Sequence, residues 1–313
     1  MKRLLLLAAL ALLALAGAAH PAKANFPGLD GRIAYIGFGA DGSQNVYSVE
    51  PNGLGTMQLT NLAANQSLAS EPVWSPDGSQ IVYTVNPPDF SSFRLWVMNA
   101  DGSNQHLLFD ENPAYDDFQA NWSPDGSRVI FRRCSNVKEE CSIYTIKLDG
   151  HGLTQITQPS QNVKQNNFDV KPEFSPDGKM ISFSSFNRGG VQNGVYLMSA
   201  HGTGIRLITP TALGAVDADW APNGSKIVFW SHCCDPQPST INTMNPDGSD
   251  ITSLTNPGPN AGDIRPNYSP QGDMIVFEHD AAGGSTIETI PAGGGTPTVV
   301  ADDAAWPNWG TAP

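Results

Sequence analysis

Charged residues stand at two fixed distances in front of a repeated aromatic residue. Five positions before it the sequence has three aspartates, Asp117, Asp169 and Asp263. Three positions before it stand other polar residues, namely Glu71, Gln119, Lys171, Asp217 and Arg265. Since a hard cation such as Ca²⁺ prefers carboxylate oxygens, one interpretation is a calcium site at the three aspartates. The other is that the acids pair with Lys171 and Arg265 or accept backbone hydrogen bonds.

Two histidines offer a different chemistry. His232 and His279 each follow the second strand of a predicted repeat, with Asp235, Glu278 and Asp280 nearby in sequence. Such a group could ligate a transition metal or act as an acid and base. The alternative is that they are solvated loop residues. No nucleophile elbow, zinc-protease helix, phosphate-binding loop or dinucleotide fingerprint occurs in its required context.

The elements that position these residues come from a repeat. Trp-Ser-Pro-Asp-Gly at residues 74–78 recurs at 122–126 and, with Phe174 as its aromatic residue, at 174–178. Two looser copies begin at Trp220 and Tyr268, and the aromatic residues are 48, 52, 46 and 48 residues apart. Pro, Asp and Gly at these positions suit a tight turn. Alternating apolar strands follow each turn, giving four antiparallel strands per repeat, which is typical of propeller blades. We therefore predict an all-β, six-bladed propeller.

The ring should close through the two ends of the chain. Residues 31–60 supply only three strands of a blade, while residues 307–310 (Pro-Asn-Trp-Gly) align with the start of a repeat at 266–269. We predict that this C-terminal strand completes the N-terminal blade, which protects strand edges that would otherwise aggregate.

One face of this propeller should carry the variable loops. The connections between second and third strands differ most between repeats, around residues 86–92, 134–141, 187–194, 232–239 and 279–285. Binding residues concentrate on variable loops of a rigid scaffold. The inner-strand residues Glu71, Asp117, Asp169, Lys171, Asp217, Asp263 and Arg265 should converge on the channel mouth at this face, where we place the candidate site.

Cysteines and tryptophans add two further predictions. Cys134 and Cys141 flank one loop and should form a disulfide, whereas the adjacent Cys233 and Cys234 either bridge each other or stay free. The repeated aromatic residues should pack between blades. Trp230 and Trp306 fall outside the repeated position and are better candidates for contact with a ligand.

Composition and the N-terminus bear on location. The chain has 17 basic and 30 acidic residues, a formal net charge of -13, which disfavours nucleic acid because phosphates are held by Lys and Arg. Lys2, Arg3, an apolar run and Ala22-Lys23-Ala24 have the layout of a cleavable secretory signal. We expect residues 1–24 to be this signal and residues 25–313 to be one propeller domain, periplasmic or secreted and without a membrane span.

The Pro-x-Trp-Ser-Pro-Asp-Gly units, each followed by an Ile-x-Phe strand, resemble the WD40-like PD40 repeats of TolB-like propellers over residues 30–310. The resemblance implies docking of envelope proteins, including a peptidoglycan-associated lipoprotein. That family carries an α/β domain before the propeller, for which residues 25–30 leave no room.

We therefore expect a monomeric, non-enzymatic scaffold that binds an envelope or extracellular protein. The alternative function is a metal-dependent hydrolase or lyase with its site at the channel mouth. No cofactor is required by the sequence, with Ca²⁺ as the one candidate ion.

Overall fold

The computed structural model describes residues 28–312 except 110–111, 138–139, 159–167, 189 and 232–237. The predicted signal segment, Cys233, Cys234, His232 and Asp235 lie outside the described residues. Within those residues the chain forms 24 strands and one short 3₁₀ turn, Thr211–Leu213. No helix among them is long and apolar enough to cross a membrane.

The strands form six antiparallel sheets of four strands each. The first blade has β1 (Asp30–Phe38), β2 (Gln44–Val49) and β3 (Met57–Gln58). The second has β4 (Leu68–Trp74), β5 (Gln80–Asn86), β6 (Arg94–Asn99) and β7 (His106–Leu107). The third has β8 (Tyr115–Trp122), β9 (Arg128–Ser135), β10 (Glu140–Lys147) and β11 (Thr154–Gln155).

The remaining blades repeat this plan. The fourth has β12 (Phe168–Phe174), β13 (Met180–Arg188), β14 (Val191–Ser199) and β15 (Arg206–Leu207). The fifth has β16 (Ala215–Trp220), β17 (Ile227–Ser231), β18 (Thr240–Met244) and β19 (Thr252–Ser253). The sixth has β20 (Gly262–Tyr268), β21 (Met274–Ala281), β22 (Gly284–Pro291) and β23 (Thr298–Asp302). The last strand, β24 (Ala304–Thr311), belongs to the first blade.

This last strand confirms the predicted closure of the ring. β24 pairs antiparallel with β1, with Trp309 opposite Ile33 and Asn308 opposite Ala34. The indole Nε1 of Trp309 also donates to the carbonyl oxygen of Gly31 at 3.2 Å. The two ends of the chain thus form one sheet, in which β24 is the innermost strand of the first blade.

The predicted turn chemistry is present in the Ser-Pro-Asp-Gly segments. In the first copy, Asp77 Oδ1 accepts hydrogen bonds from Ser75 Oγ at 2.7 Å and from the backbone N–H of Ser79 at 3.1 Å. Gly78 has φ +70°, a left-handed conformation that costs glycine little. These contacts fix where each second strand begins, and with it the register of the blade.

The repeated aromatic residues form the core between blades, as predicted. Trp74, Trp122, Phe174, Trp220, Tyr268 and Trp309 are each 8% exposed or less. Trp74 packs with Ala34 and Ile36 of the first blade and with Ile81 of the second. A Cβ at Gly310 would lie 2.5 Å from the Trp74 ring, so β24, which we call the clasp strand because it closes the ring, needs glycine there. The aromatic wedges therefore join each blade to its neighbour.

Candidate functional site

One residue of each innermost strand has a left-handed backbone. These six residues, which we call the channel ring, stand three positions before the repeated aromatic. They have φ between 48° and 56° and are Glu71, Gln119, Lys171, Asp217, Arg265 and Trp306. Non-glycine residues rarely adopt this conformation, and strained residues cluster at functional sites. Its recurrence in all six blades indicates a built feature of the channel.

A bulge in each innermost strand produces this conformation. The pairing of β4 with β5 shifts register between Ser70 and Val73, and the equivalent strands of the other blades show the same shift. A bulge places an extra residue on one strand and re-aims a side chain. The ring residues are those extra residues.

The ring lines a cavity on the propeller axis with a volume of about 80 Å³. Three consecutive residues from each innermost strand form its wall, beginning with Glu71, Pro72 and Val73 in the second blade. Each water occupies about 30 Å³ in the liquid, so the cavity holds a few waters or one small polar group. It lies near the face with the second-to-third strand loops, because Thr84, which contacts Glu71, stands two residues before the end of β5.

The ring balances two carboxylates against two cations. Glu71 Oε2 accepts the backbone N–H of Gln119 at 2.9 Å, and Glu71 Oε1 lies 3.5 Å from Lys171 Nζ. Asp217 accepts the Trp230 indole N–H at 3.0 Å, and its own backbone N–H donates to Ser184 Oγ at 2.8 Å. The four charged members of the ring predicted from the sequence therefore come together in one cavity.

Arg265 and Trp306 meet at the junction of the sixth and first blades. The Arg265 guanidinium lies 4.9 Å from the centre of the Trp306 ring and donates to Glu278 Oε2 at 2.8 Å. The same oxygen accepts the Trp306 backbone N–H at 2.9 Å. Trp306 thus stands outside the repeated aromatic position, which Trp309 occupies, and the bulge in β24 makes it the sixth member of the ring.

A second set of polar side chains lies one position before the repeated aromatic. Asp219 accepts the backbone N–H of Tyr268 at 2.7 Å, and Asn267 accepts that of Trp309 at 2.8 Å. In the same way Asn308 accepts the backbone N–H of Trp74 at 2.9 Å. These bonds join successive blades from inside the channel, so part of the channel's polarity is structural.

Glu173 also belongs to this set, and together with Asp219 it forms a pair of buried carboxyl groups, 5% and 6% exposed. Burial raises the pKa of Asp219 to about 6. Burial and the nearby Asp219 carboxylate raise the pKa of Glu173 well above its usual range. The pair therefore retains a proton near neutral pH.

The three aspartates proposed as calcium ligands each contact a basic group of their own blade. Asp117 makes two bonds to Arg133 at 2.6 and 2.8 Å, and Asp169 makes two to Arg188 at 2.8 and 2.6 Å. Asp263 Oδ1 lies 2.7 Å from His279 Nδ1. The described part of the chain contains no group of three or more His, Cys, Asp or Glu that could hold a metal ion. The structure thus does not bring these three carboxylates together.

Of the two histidines predicted as possible metal ligands, only His279 lies among the described residues. His279 and Asp263 line a groove of about 650 Å³ between the fifth and sixth blades. Glu278 instead faces Arg265 in the channel, and Asp280 contacts Ser285. His279 is therefore separated from Glu278 by the sheet, although the two are adjacent in sequence.

The predicted disulfide is present between Cys134 and Cys141, which face each other on β9 and β10. Arg132 beside it was missed by sequence reasoning. Its Nη2 donates to Cys141 Sγ at 3.1 Å, and its guanidinium lies 4.7 Å from the centre of the Phe118 ring and 5.1 Å from that of Phe168. Burial lowers the pKa of Arg132 to about 10, so it stays charged at neutral pH.

These features define a class: a six-bladed β-propeller whose non-repeating polar side chains meet in its central channel. Residues 112–312 match the family model described as PD40, TolB beta propeller domain, and the chain belongs to this family.

Relatives support the assignment. Over 250 residues the chain is 24% identical to the Tol-Pal system protein TolB of Francisella tularensis, covering 64% of this chain and 54% of the relative. An uncharacterized protein of Agrobacterium fabrum is 27% identical over 200 residues, or 60% of this chain and 62% of that protein. The chain thus spans about three fifths or less of these relatives. The crystal structure of TolB from Acinetobacter baumannii has a TM-score of 0.73 at 18% identity, covering 92% of this chain and 68% of that one, a likeness in fold.

Proposed function

We propose that this chain is an exported, non-enzymatic scaffold whose channel face docks a protein of the cell envelope or the extracellular space. The observation that carries the proposal is the channel ring. Its six positions are equivalent in the fold, yet they hold six different side chains on strained backbone. A purely structural position in a repeat would favour one residue type, whereas recognition of an asymmetric partner needs different ones.

The chemistry of the ring suits a polypeptide partner. Two carboxylates, two cations, an amide and an indole offer contacts to charged, polar and apolar side chains alike. Arg and Trp are enriched among residues that dominate binding energies. The cavity of about 80 Å³ accepts one side chain or chain terminus rather than a large substrate.

The relatives support the same function. Some are named as Tol-Pal system protein TolB, and this likeness supports a protein-binding role for the propeller. Location in the periplasm or outside the cell rests on the N-terminal sequence and on the same relatives. We further propose that the propeller acts as a monomer, since the pairing of β24 with β1 closes the ring within one chain and no second copy is needed to complete it.

Matched charge reversals test the docking face. Lys171→Glu changes the ring, whereas Lys179→Glu makes the same change on the opposite face, in a Ser-Pro-Asp-Gly turn where its side chain is 79% exposed. Mature, oxidised protein and both variants are used to capture partners from envelope and secreted fractions. We expect one protein to be retained by the parent and by Lys179→Glu and to be lost by Lys171→Glu.

Two other results would contradict the proposal. A partner retained equally by the parent and by both variants would place binding outside the channel. No partner with any variant, together with a metal ion that survives dialysis, would favour the alternative of a metal-dependent hydrolase or lyase.

A further inference from the structure

Four phenylalanine side chains and one arginine side chain form a continuous line from a loop of the second blade to the fourth blade. We call this line the aromatic stripe; its members are Phe90, Phe93, Phe118, Arg132 and Phe168. Ring centres of Phe90 and Phe93 are 6.2 Å apart, and those of Phe93 and Phe118 are 5.1 Å apart. Arg132 then bridges Phe118 and Phe168 at 4.7 and 5.1 Å. The stripe crosses three blades without a gap.

The stripe is held rigidly in place. Phe93 donates its backbone N–H to Asp116 Oδ1 at 3.0 Å, and its carbonyl accepts the backbone N–H of Asp117 at 3.0 Å. Arg132 is fixed at the other end by Cys141 of the disulfide. A surface that is ordered before binding loses little conformational entropy when a partner docks.

Its outer end is apolar and open to solvent. Phe90 is 57% exposed, and Phe93, Phe118 and Phe168 are half-buried. The innermost strands β8 and β12 carry members of both the stripe and the ring, since Phe118 immediately precedes Gln119 and Phe168 stands three residues before Lys171.

Charge indicates what kind of segment fits. Two cations next to the stripe already face internal carboxylates: Arg94 lies 3.5 Å from Asp116, and Arg133 is bonded to Asp117. Arg132 of the stripe lies between the rings of Phe118 and Phe168, away from the outer end at Phe90. At the outer end, hydrogen bonds from Ser91 lower the pKa of the exposed Asp89. Asp89 is therefore ionised at neutral pH, and the whole chain carries a net charge of -13. A basic side chain beside Phe90 is favoured.

We propose that the aromatic stripe docks an extended segment of the partner protein that carries apolar side chains and at least one Lys or Arg. This inference rests on the proposed function and deepens it by naming the surface and the chemistry of the occupant. The four steps of the stripe, each 4.7 to 6.2 Å long, match roughly six residues of an extended chain at about 3.3 Å per residue.

The test uses a random linear 12-residue peptide library displayed on phage, selected on mature, oxidised protein. Peptides that bind are synthesised, and their Kd is measured by calorimetry. We expect enriched peptides to combine apolar residues with Lys or Arg. Phe90→Ala, Phe118→Ala and Phe168→Ala should each weaken binding about 10-fold or more, as removal of an aromatic anchor does. Phe38→Ala is the control, since Phe38 is an exposed phenylalanine of the first blade outside the stripe.

Phe90→Ala decides the case if the other two variants fold poorly, because Phe90 lies on an exposed loop. Equal Kd values for Phe90→Ala, Phe38→Ala and the parent would overturn the inference. Peptides lost only by Lys171→Glu would overturn it too, while leaving the proposed function standing. Enrichment of acidic peptides would contradict the assigned chemistry. No peptide enrichment, together with a stripe-dependent signal on a glycan array, would replace the polypeptide occupant and would count against the proposed function as well.

Discussion

Glu173 of the fourth blade and Asp219 of the fifth form a carboxyl–carboxyl pair inside the channel, where each lies within hydrogen-bonding reach of the other. Asp219 also accepts the backbone N–H of Tyr268 in the sixth blade. Three successive blades are therefore joined through one pair of acids that holds a proton.

This pair should make stability depend on pH. The folded-state pKa of Asp219 is about 6, against 3.8 in its ordinary state. The folded protein thus binds the proton more tightly than the unfolded one, and its free energy of unfolding falls as the pH rises through that interval. The loss should be on the order of 2 to 3 kcal/mol.

Glu173→Gln tests this dependence, because glutamine keeps a donor for Asp219 and removes one ionisable group. We expect urea unfolding between about pH 5 and about pH 8 to show a smaller loss of stability than in the parent. The exposed Asp302→Asn serves as control and should behave like the parent. A steeper decline in Glu173→Gln than in the parent would be incompatible with the shared proton.

The clasp strand should govern the stability of the whole ring. Removal of residues 304–313 exposes β1 and removes Trp309, which is 2% exposed. Trp309→Ala alone should cost about 3 to 5 kcal/mol, as expected for a buried aromatic. Chemical unfolding and size-exclusion chromatography would show early melting and association of the truncated chain. A chain ending at Thr311 is the control, and a shortened chain that melted like it would refute the clasp.

The left-handed backbone of the channel ring should reverse the usual order of stability of glycine and alanine variants. At Gln119, which has φ 56°, Gly should be more stable than Ala by about 1 kcal/mol, because a Cβ is unfavourable in this conformation. At Gln80, an ordinary strand position, the order should be reversed. Thermal unfolding of the four variants makes the comparison. The same order at both sites would mean that the ring is not strained.

Calcium should have no specific effect at the three aspartates, because Asp169 and Asp263 already face Arg188 and His279. We expect calcium to change the Tm of the parent and of the Asp169→Asn, Asp263→Asn double variant equally. A rise in Tm with calcium in the parent alone would restore the calcium site.

The propeller fold could be predicted from the repeat in the sequence. Its turn residues suit one kind of tight turn, and its aromatic residue suits one position, packed between two blades. The position of the clasp strand followed from the missing strand of the first blade. The site was only partly predictable. Ring residues were found by their fixed distance from the aromatic. Trp306 was identified only as a candidate for ligand contact, because β24 lacks the Ser-Pro-Asp-Gly turn that marks the other copies and its ring position was therefore not recognised.

Other contacts depend on geometry that spacing does not reveal. Arg188 reaches Asp169 from the far end of the neighbouring strand, and Arg132 reaches two rings on different blades. The pair Glu173 and Asp219 could have been found from the sequence. In five of the six copies a polar residue stands directly before the buried aromatic residue. A polar residue at such a position must have a buried partner.

The contribution of Trp306 to the channel ring has a consequence for the order of events in the life of the chain. Five ring members belong to strands that are synthesised earlier, and the sixth belongs to β24. The channel ring is therefore incomplete until β24 has paired with β1. Under the proposed function, a nascent chain that lacks β24 has no complete channel with which to engage a partner, so binding begins only after the whole propeller has been synthesised.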